Sequence, residues 1–214
     1  MALRSLLIII VAYLLTGCSA FGVRSEYEQA NYVVVGKLAE QIEIRRYEQR
    51  LAVEATVDIP NYDDSRNSAF RMLFDYISGN NYAAALASPE SVRAYTEVAM
   101  TTPVETSRTA AGGMRMRFFL PVEYTLETAP RPLDPKIRVV QLRTQLQAVL
   151  RFGGFASESS VAKRMKELLE TLEQSSWDTA GEPVTYVYDP PWTIPFFRRN
   201  EVVIPVVSVL SQKP

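Results

Sequence analysis

The feature that most constrains the fold of this chain is a succession of periodic segments that occurs twice. Alternating apolar and polar residues predict β-strands, and an apolar stripe at helical spacing predicts a helix. In the first half we predict strands at 42–45 and 51–59 joined by a turn near 48–50, a helix at 65–77 with Asp64 or Ser65 as N-cap, and strands at 92–100 and 114–120. The second half repeats this order, with strands at 137–142 and 146–152, a helix at 158–174 behind Ser157, and strands at 184–188 and 201–207.

The repetition predicts a single α+β domain over 32–210, made of two pseudo-symmetric ββαββ repeats at about 32–121 and 136–207. The first two strands of each repeat are expected to pair as a hairpin, which is too tight for a parallel crossover. Each repeat then has one apolar sheet face, and we expect the two apolar faces to close against each other. The predicted product is a distorted, eight-stranded antiparallel β-barrel with two flanking helices.

The N-terminal segment has the three parts of a secretory signal. Arg4 supplies a positive charge, an apolar run covers 6–15, and Thr16 and Gly17 lead to Cys18. The run is shorter than the roughly 20 apolar residues that a membrane-spanning helix needs. The segment is therefore predicted to be an export signal, with an ordinary signal peptide that happens to contain a cysteine as the plainer alternative.

Residues 15–18, Leu-Thr-Gly-Cys, resemble the lipobox of bacterial lipoproteins. This resemblance implies that 1–17 is a lipoprotein signal peptide and that Cys18 carries lipid at the start of a polar tether over 18–31. Two or more acyl chains hold a protein stably at a membrane. Because Ser19 rather than Asp follows the cysteine, the expected location is the bacterial cell envelope, at the outer membrane and facing the periplasm.

The composition excludes several classes of function. The chain has no histidine and one cysteine, so histidine-based catalysis, histidine metal ligation, intramolecular disulfides and cysteine-rich zinc sites are ruled out. Its 23 basic and 24 acidic residues argue against non-specific nucleic-acid binding, which needs a basic surface. We find no metal-ligand spacing, phosphate loop or nucleophile-base pair, and a non-enzymatic role is the favoured interpretation.

Seven segments together resemble the SOUL family of heme-binding proteins, and they follow one another from about residue 32 to residue 207. They are Ile-Arg-Arg-Tyr at 44–47, Ala-Phe-Arg-Met-Leu-Phe-Asp-Tyr-Ile-Ser-Gly-Asn at 69–80, Met-Thr-Thr-Pro-Val at 100–104, Phe-Phe-Leu-Pro at 118–121, Pro-Leu-Asp-Pro at 132–135, Tyr-Asp-Pro-Pro-Trp at 188–192, and Pro-Phe-Phe-Arg-Arg-Asn-Glu-Val at 195–202. The resemblance implies a distorted barrel of two repeats, and heme or another tetrapyrrole in an apolar surface cleft beside the first helix.

The same resemblance suggests which residues touch the ligand. The helix residues Phe70, Leu73, Phe74 and Ile77 are the expected cleft wall. Met100 is either a thioether ligand to iron or a core residue.

Arg198 and Arg199 either face anionic groups such as heme propionates or pin their loop through Asp189 and Glu201. Some members of the family ligate heme through histidine, which this chain lacks. Heme is thus expected to be held by apolar contact, propionate pairing, or tyrosine or methionine ligation.

Two further interpretations stay open. The architecture also resembles gyrase-inhibitor-like domains, which bind organic ligands between their halves. A small-molecule binder or hydrolase of that type would use a buried glutamate with a raised pKa, and Glu54, Glu97 and Glu201 are the candidates. The third interpretation is an interaction protein of the cell envelope with no small ligand.

Overall fold

The computed structural model describes residues 27–83 and 95–209. Two α-helices are present, α1 (Tyr62–Ile77) and α2 (Glu158–Glu173), with a short 3-10 helix at Pro195–Phe197. The strands of the first half are β1 (Glu28–Gln29), β2 (Tyr32–Ala39), β3 (Ile42–Tyr47), β4 (Arg50–Val57), β5 (Asn81–Tyr82), β6 (Thr101–Thr102), β7 (Val104–Arg108) and β8 (Met114–Phe119). Those that follow are β9 (Arg131–Pro132), β10 (Ile137–Leu142), β11 (Gln145–Phe152), β12 (Trp177–Thr179), β13 (Val184–Val187) and β14 (Asn200–Ser208).

Ten of these strands form one antiparallel sheet. Its path is β10-β4-β8-β7-β13-β14-β11-β3-β2, and β12 adds to β14. The first eight strands of this path are the four strands of each ββαββ repeat. The first repeat supplies β3, β4, β7 and β8, and the second supplies β10, β11, β13 and β14. This confirms the α+β fold and its internal repeat. Hydrogen bonds do not join the first strand of this path to the last, so the sheet is open and the predicted barrel is only approximate.

The predicted hairpins are wrong, because the first two strands of each repeat pair with the other repeat. Strand β10 pairs with β4, and β11 pairs with β3. The register is continuous across both breaks, since Leu142 lies opposite Arg50 and Gln145 lies opposite Tyr47. Segments 42–57 and 137–152 are thus two long, bent strands that run side by side in opposite directions and lock the repeats together.

Three local predictions also need correction. Residues 95–100 lie in no strand, and the strand predicted at 92–100 is replaced by β7, while 92–94 lie outside the described residues. Helix α1 begins three residues before the predicted start, because the side chain of Asn61 accepts a hydrogen bond from the Asp64 amide at 3.0 Å and caps it. The predicted N-cap Ser157 of α2 is confirmed, since its side chain accepts from the Ser160 amide.

Two of the three apolar clusters lie between the sheet and a helix, whereas we expected the apolar faces of the two repeats to close only against each other. One cluster lies under α1 and includes Leu51, Val53, Leu73, Met116 and Phe118. A second lies under α2 and includes Ile44, Leu150, Leu168, Val202 and Ile204. The opposite sheet face, here called the inner face, carries a smaller cluster, made of Tyr47, Ala52, Phe119, Val149, Val184, Tyr186, Tyr188 and Val203. Within the described residues, neither helix has the length and apolar character needed to cross a membrane.

Candidate functional site

Helix α1 divides the predicted cleft wall between the core and the surface. Leu73 and Ile77 are buried in the cluster under the helix. Phe70 and Phe74, one turn apart, remain 38% and 49% exposed, and their rings stack with centroids 6.0 Å apart and planes 15° from parallel. Phe70 also packs edge-on against the buried Phe118, with centroids 5.2 Å apart. Two of the four residues thus form the aromatic surface of α1, and the other two support it.

The residues around this aromatic surface include an exposed arginine and a partly buried methionine. Arg71 is exposed on α1, next to Phe70 and three residues before Phe74, and its Nε atom donates to the Asn67 carbonyl at 3.4 Å. Met100 is partly buried and packs against the α1 cluster, as a core residue does. The sequence also predicts that the long, alanine-rich loop at 78–91 helps to shape a site beside α1, and its residues 84–91 lie outside the described residues.

Arg198 and Arg199 are engaged in holding their own loop. The Nε atom of Arg198 donates to the carbonyl of Thr193 at 2.8 Å, and its guanidinium lies over the ring of Phe155. Arg199 donates to a carboxylate oxygen of Glu201 from Nε at 2.9 Å and from Nη2 at 2.7 Å. The propionate-binding role predicted for this pair is therefore not evident from their contacts.

Glu201 is the most deeply buried carboxylate among the three candidates, with a side chain that is fully enclosed on the inner face. Besides Arg199, it accepts from Nη1 of Arg45 at 3.0 Å and from the hydroxyl of Tyr188 at 2.8 Å. Arg45 also pairs with Glu43 at 2.8 Å. Two cations from different repeats thus neutralise one buried carboxylate between them, which is the pairing that a buried charge requires.

Glu54 is the second buried candidate and forms a separate network, whereas Glu97 is exposed. Glu54 pairs with Arg117 at 2.6 Å and also with Arg138, and Arg117 in turn pairs with Glu105 at 2.6 Å. Burial by itself would raise the pKa of Glu54, but hydrogen bonds and charge from Arg117 and Arg138 hold that pKa below its ordinary value. A general acid needs the opposite shift, so this carboxylate is built to stay ionised.

The lowered pKa of Glu54 makes a prediction about acid stability. Folding favours the ionised carboxylate, so its contribution is present above the unfolded pKa and is lost as the pH falls through the folded pKa. The melting temperature of the native chain should therefore fall more steeply between about pH 5 and pH 3 than that of Glu54→Gln. Thermal melts across this range test it, with the exposed Glu123→Gln as control. Parallel profiles for the native chain and Glu54→Gln would contradict the assignment.

Arg50 is a cation on the inner face whose contacts are aromatic. Its guanidinium lies 4.3 Å from the ring centroid of Tyr47 and 4.5 Å from that of Phe119. Nη2 donates to the hydroxyl of Tyr186 at 3.3 Å, while the buried Nε and Nη1 atoms have no hydrogen-bond acceptor among the described residues. Stacking on two rings partly compensates for this burial.

The inner-face tyrosines are poor candidates for anionic iron ligands. Burial raises the pKa of Tyr186 to about 12, and it also raises the pKa values of Tyr47 and Tyr188, with the negative charge of Glu201 adding to both. These phenols stay protonated at neutral pH. Sequence reasoning missed Arg45, Tyr47 and Arg50 as members of this network, although the alternation of Glu43, Arg45 and Tyr47 with Ile42 and Ile44 marks a strand with two distinct faces.

Two hollows on the described surface lie beside α2 and away from the aromatic surface of α1. Their volumes are about 250 and 590 Å³, and the larger is lined by Lys37, Glu167 and Glu170 among others. The charged wall of the larger hollow does not suit an apolar macrocycle. No group of three metal-ligating side chains converges within 27–83 and 95–209.

Comparison with solved structures identifies the same fold in other proteins. The C-terminal domain of EcmrR aligns with a TM-score of 0.58 at 11% identity, covering 79% of this chain and 98% of that one. EcmrR in a complex with DNA aligns with a TM-score of 0.57 at 12% identity, covering 79% of this chain and 58% of that one. An uncharacterized conserved protein from Listeria innocua gives 0.51 at 10% identity, covering 81% and 94%. At such low identity the likeness concerns the fold alone.

Sequence comparison is more informative. No curated protein matches the chain significantly. A family model described as SOUL heme-binding protein matches residues 27–205, which is nearly all of the described chain.

Proposed function

The chain belongs to the SOUL family of heme-binding proteins, and from this premise we propose that it binds heme or a related tetrapyrrole on the aromatic surface of α1. The observation that carries the proposal is the stacked pair Phe70 and Phe74, which a soluble helix exposes to water at a free-energy cost. A porphyrin is flat, apolar and aromatic. It can cover both rings at once and remove them from water.

The charge beside the rings suits the edge of such a ligand. Heme carries two propionates, and a planar guanidinium pairs well with a carboxylate. Arg71 is exposed and adjacent to the stacked pair, so it is the proposed propionate partner. Arg198 and Arg199 are not needed for this role, because both are engaged in their own loop.

Iron ligation contributes less in this proposal than apolar contact does. The chain has no histidine, and the raised pKa values of the buried tyrosines disfavour tyrosinate ligation. Met100 is the only iron ligand that the family motifs suggest, and it packs against the cluster under α1. We propose reversible binding without histidine ligation, as suits a carrier or buffer of tetrapyrroles.

We also propose that Cys18 is acylated and holds the domain at the outer membrane, facing the periplasm. The support is the signal-like segment 1–17 and the position of the sole cysteine directly after it; both lie outside the described residues. Metabolic labelling with a fatty acid should mark the native chain and not Cys18→Ser. A labelled Cys18→Ser variant would contradict acylation at this residue.

A hemin titration tests the proposed function. We expect the chain from residue 18 onward, carrying Cys18→Ser, to give a saturable Soret shift at micromolar hemin. Replacing Phe70 and Phe74 by serine should weaken binding about tenfold or more, because burying each ring is worth about 1.5–3 kcal/mol.

The matched control is Leu169→Ser on α2, since Leu169 is also 38% exposed. Its affinity for hemin should equal that of the parent chain. Absence of a saturable shift in the parent would reject tetrapyrrole binding. An equal loss in Leu169→Ser would reject the site while leaving the function standing.

The gyrase-inhibitor-like alternative receives less support from the contacts. Its ligand would need a free buried carboxylate between the repeats. Glu201 occupies that position, but Arg45, Arg199 and Tyr188 already satisfy it. A cationic ligand would have to displace two arginines before it gained an ion pair.

A further inference from the structure

The loop between β13 and β14 is rigid, although it contains only one short helical turn. The amide of Thr193 donates to the Pro190 carbonyl at 3.1 Å, and that of Phe197 donates to the Ile194 carbonyl at 2.9 Å. The amide of Gly154 donates to the Pro195 carbonyl at 2.9 Å, which ties the loop to the end of β11. Three prolines in this stretch restrict it further.

This rigid loop presents large aromatic side chains to solvent. Trp192 and Phe196 are 65% and 74% exposed, and Phe197 and the neighbouring Phe155 are exposed as well. The rings of Phe196 and Phe197 contact each other, with centroids 4.3 Å apart, and Arg198 lies 4.6 Å from the ring centroid of Phe155. We call Phe155, Trp192, Phe196 and Phe197 the aromatic tip. A clustered apolar surface of this kind usually marks an interaction site.

The aromatic tip lies at the end of the sheet from which the N-terminal segment leaves. Val104 at the start of β7 lies opposite Val187, and Val187 lies opposite Asn200, so the loop closes beside the start of β7. Strand β6 precedes β7 by one residue, and β1 pairs with β6 through Glu28 and Thr101. The beginning of the described chain and the aromatic tip therefore share one end of the sheet.

We propose that the aromatic tip inserts into the headgroup region of a phospholipid bilayer and orients the domain on the membrane; this inference rests on the proposed lipid anchor at Cys18. Tyr27 lies nine positions after Cys18, so the chain between them spans at most about 30 Å when fully extended. An anchor at Cys18 thus keeps this end of the sheet next to the bilayer. A weak contact is then sufficient, because the tether supplies a high local concentration.

The chemistry of the tip fits a lipid surface as its occupant. Tryptophan and phenylalanine partition into the boundary between headgroups and acyl chains, where the ring is apolar and the indole N–H can still be hydrated. The guanidinium of Arg198 lies over the ring of Phe155; although its Nε atom is held by the Thr193 carbonyl, its positive charge at the tip favours a surface with anionic headgroups. The loop is held by its own hydrogen bonds, so insertion orders little additional chain.

The two tryptophans of the chain give a direct test, because they lie at opposite ends of β14. Trp192 belongs to the loop that enters β14 at Asn200, whereas Trp177 lies opposite Ser208, about 26 Å along the strand. Trp177→Phe leaves Trp192 as the only reporter, and Trp192→Phe leaves Trp177. The sole cysteine allows the chain from residue 18 onward to be coupled through its thiol to a maleimide lipid, which makes the test independent of acylation in the cell.

The measurement is tryptophan quenching by phospholipids brominated in their acyl chains, in vesicles that contain phosphatidylglycerol. We expect quenching of Trp192 to exceed that of Trp177 by about threefold or more, as insertion at one end requires. Replacing Phe196 and Phe197 together by serine should abolish this difference, and Val122→Ser, at another exposed apolar residue, should preserve it. Circular dichroism verifies that each variant is folded.

Equal quenching of the two reporters would overturn the proposal, and so would quenching of Trp192 that persists in the Phe196→Ser/Phe197→Ser variant. Equal quenching would mean that the tip is not the part of the domain that enters the bilayer, and persistent quenching would mean that Phe196 and Phe197 do not make the contact. Hemin is absent throughout, so failure here leaves tetrapyrrole binding untouched, and failure of the hemin titration leaves membrane contact untouched.

Discussion

Replacing Glu201 by glutamine is expected to lower the free energy of unfolding by about 3–5 kcal/mol, the range observed when one partner of a buried ion pair is removed. Glutamine keeps the shape of the side chain but not its charge. Arg45 and Arg199 would then lose the buried counter-charge that they share, and Arg45 would keep only the partly exposed Glu43. The Glu201 carboxylate raises the pKa values of both arginines. Urea unfolding at neutral pH measures the loss.

An exposed ion pair provides the control. Arg164 and Glu167 on α2 approach to 2.6 Å but lie in solvent, so Glu167→Gln should cost no more than about 1 kcal/mol. Arg45→Met combined with Glu201→Gln should cost less than the two single changes added together, because the two side chains are in direct contact and each single change already removes their ion pair. A loss below about 1 kcal/mol for Glu201→Gln would mean that water or rearrangement satisfies the arginines.

The repeat and the class of fold follow from the sequence, whereas the pairing of the strands does not. Alternation identified β4, β8, β10, β11, β13 and β14 because one face of each meets an apolar cluster. The break near residue 48 is consistent with either a hairpin turn or a bend in one long strand. The choice depends on the partner: Leu142 takes the place opposite Arg50 that a hairpin would have given to a nearer residue.

The sequence predicts only part of the candidate site, because it does not reveal which side chains the sheet covers. A helical stripe is broad, so the spacing of Phe70, Leu73, Phe74 and Ile77 identifies a common side of α1 but not the line where the sheet stops covering it. The buried charges were harder still. Charged residues on a strand usually face solvent, and Glu54 and Glu201 are enclosed only because strands from distant parts of the chain bring arginines over them.

The ion pairs on the inner face of the sheet help to position the aromatic surface of α1 on the opposite face. The inner face fixes the register between the repeats through ion pairs that tolerate no slippage, since a shift by one residue would turn Glu201 and Arg45 to opposite faces. The outer face bears α1 on strands β4 and β8. The exposed rings of Phe70 and Phe74 thus lie on a helix whose supporting strands are fixed in register by ion pairs on the other face of the sheet. Such a fixed surface suits a rigid, flat ligand.

This division of α1 gives the second large effect. Leu73→Ala should lower the free energy of unfolding by about 2–5 kcal/mol, because the side chain is fully buried and its removal leaves a cavity under the helix. Phe74→Ala should cost no more than about 1 kcal/mol, because half of that ring already faces water. Urea unfolding separates the two, although the residues are adjacent in sequence.

The hemin affinity should change in the opposite order. At temperatures where both variants are folded, Phe74→Ala loses affinity because it removes half of the stacked pair, whereas Leu73→Ala retains it because the surface rings remain. If Leu73→Ala loses as much affinity as Phe74→Ala while folded, the ligand must penetrate between α1 and the sheet. The aromatic surface of α1 would then be the entrance to the site and not the site itself.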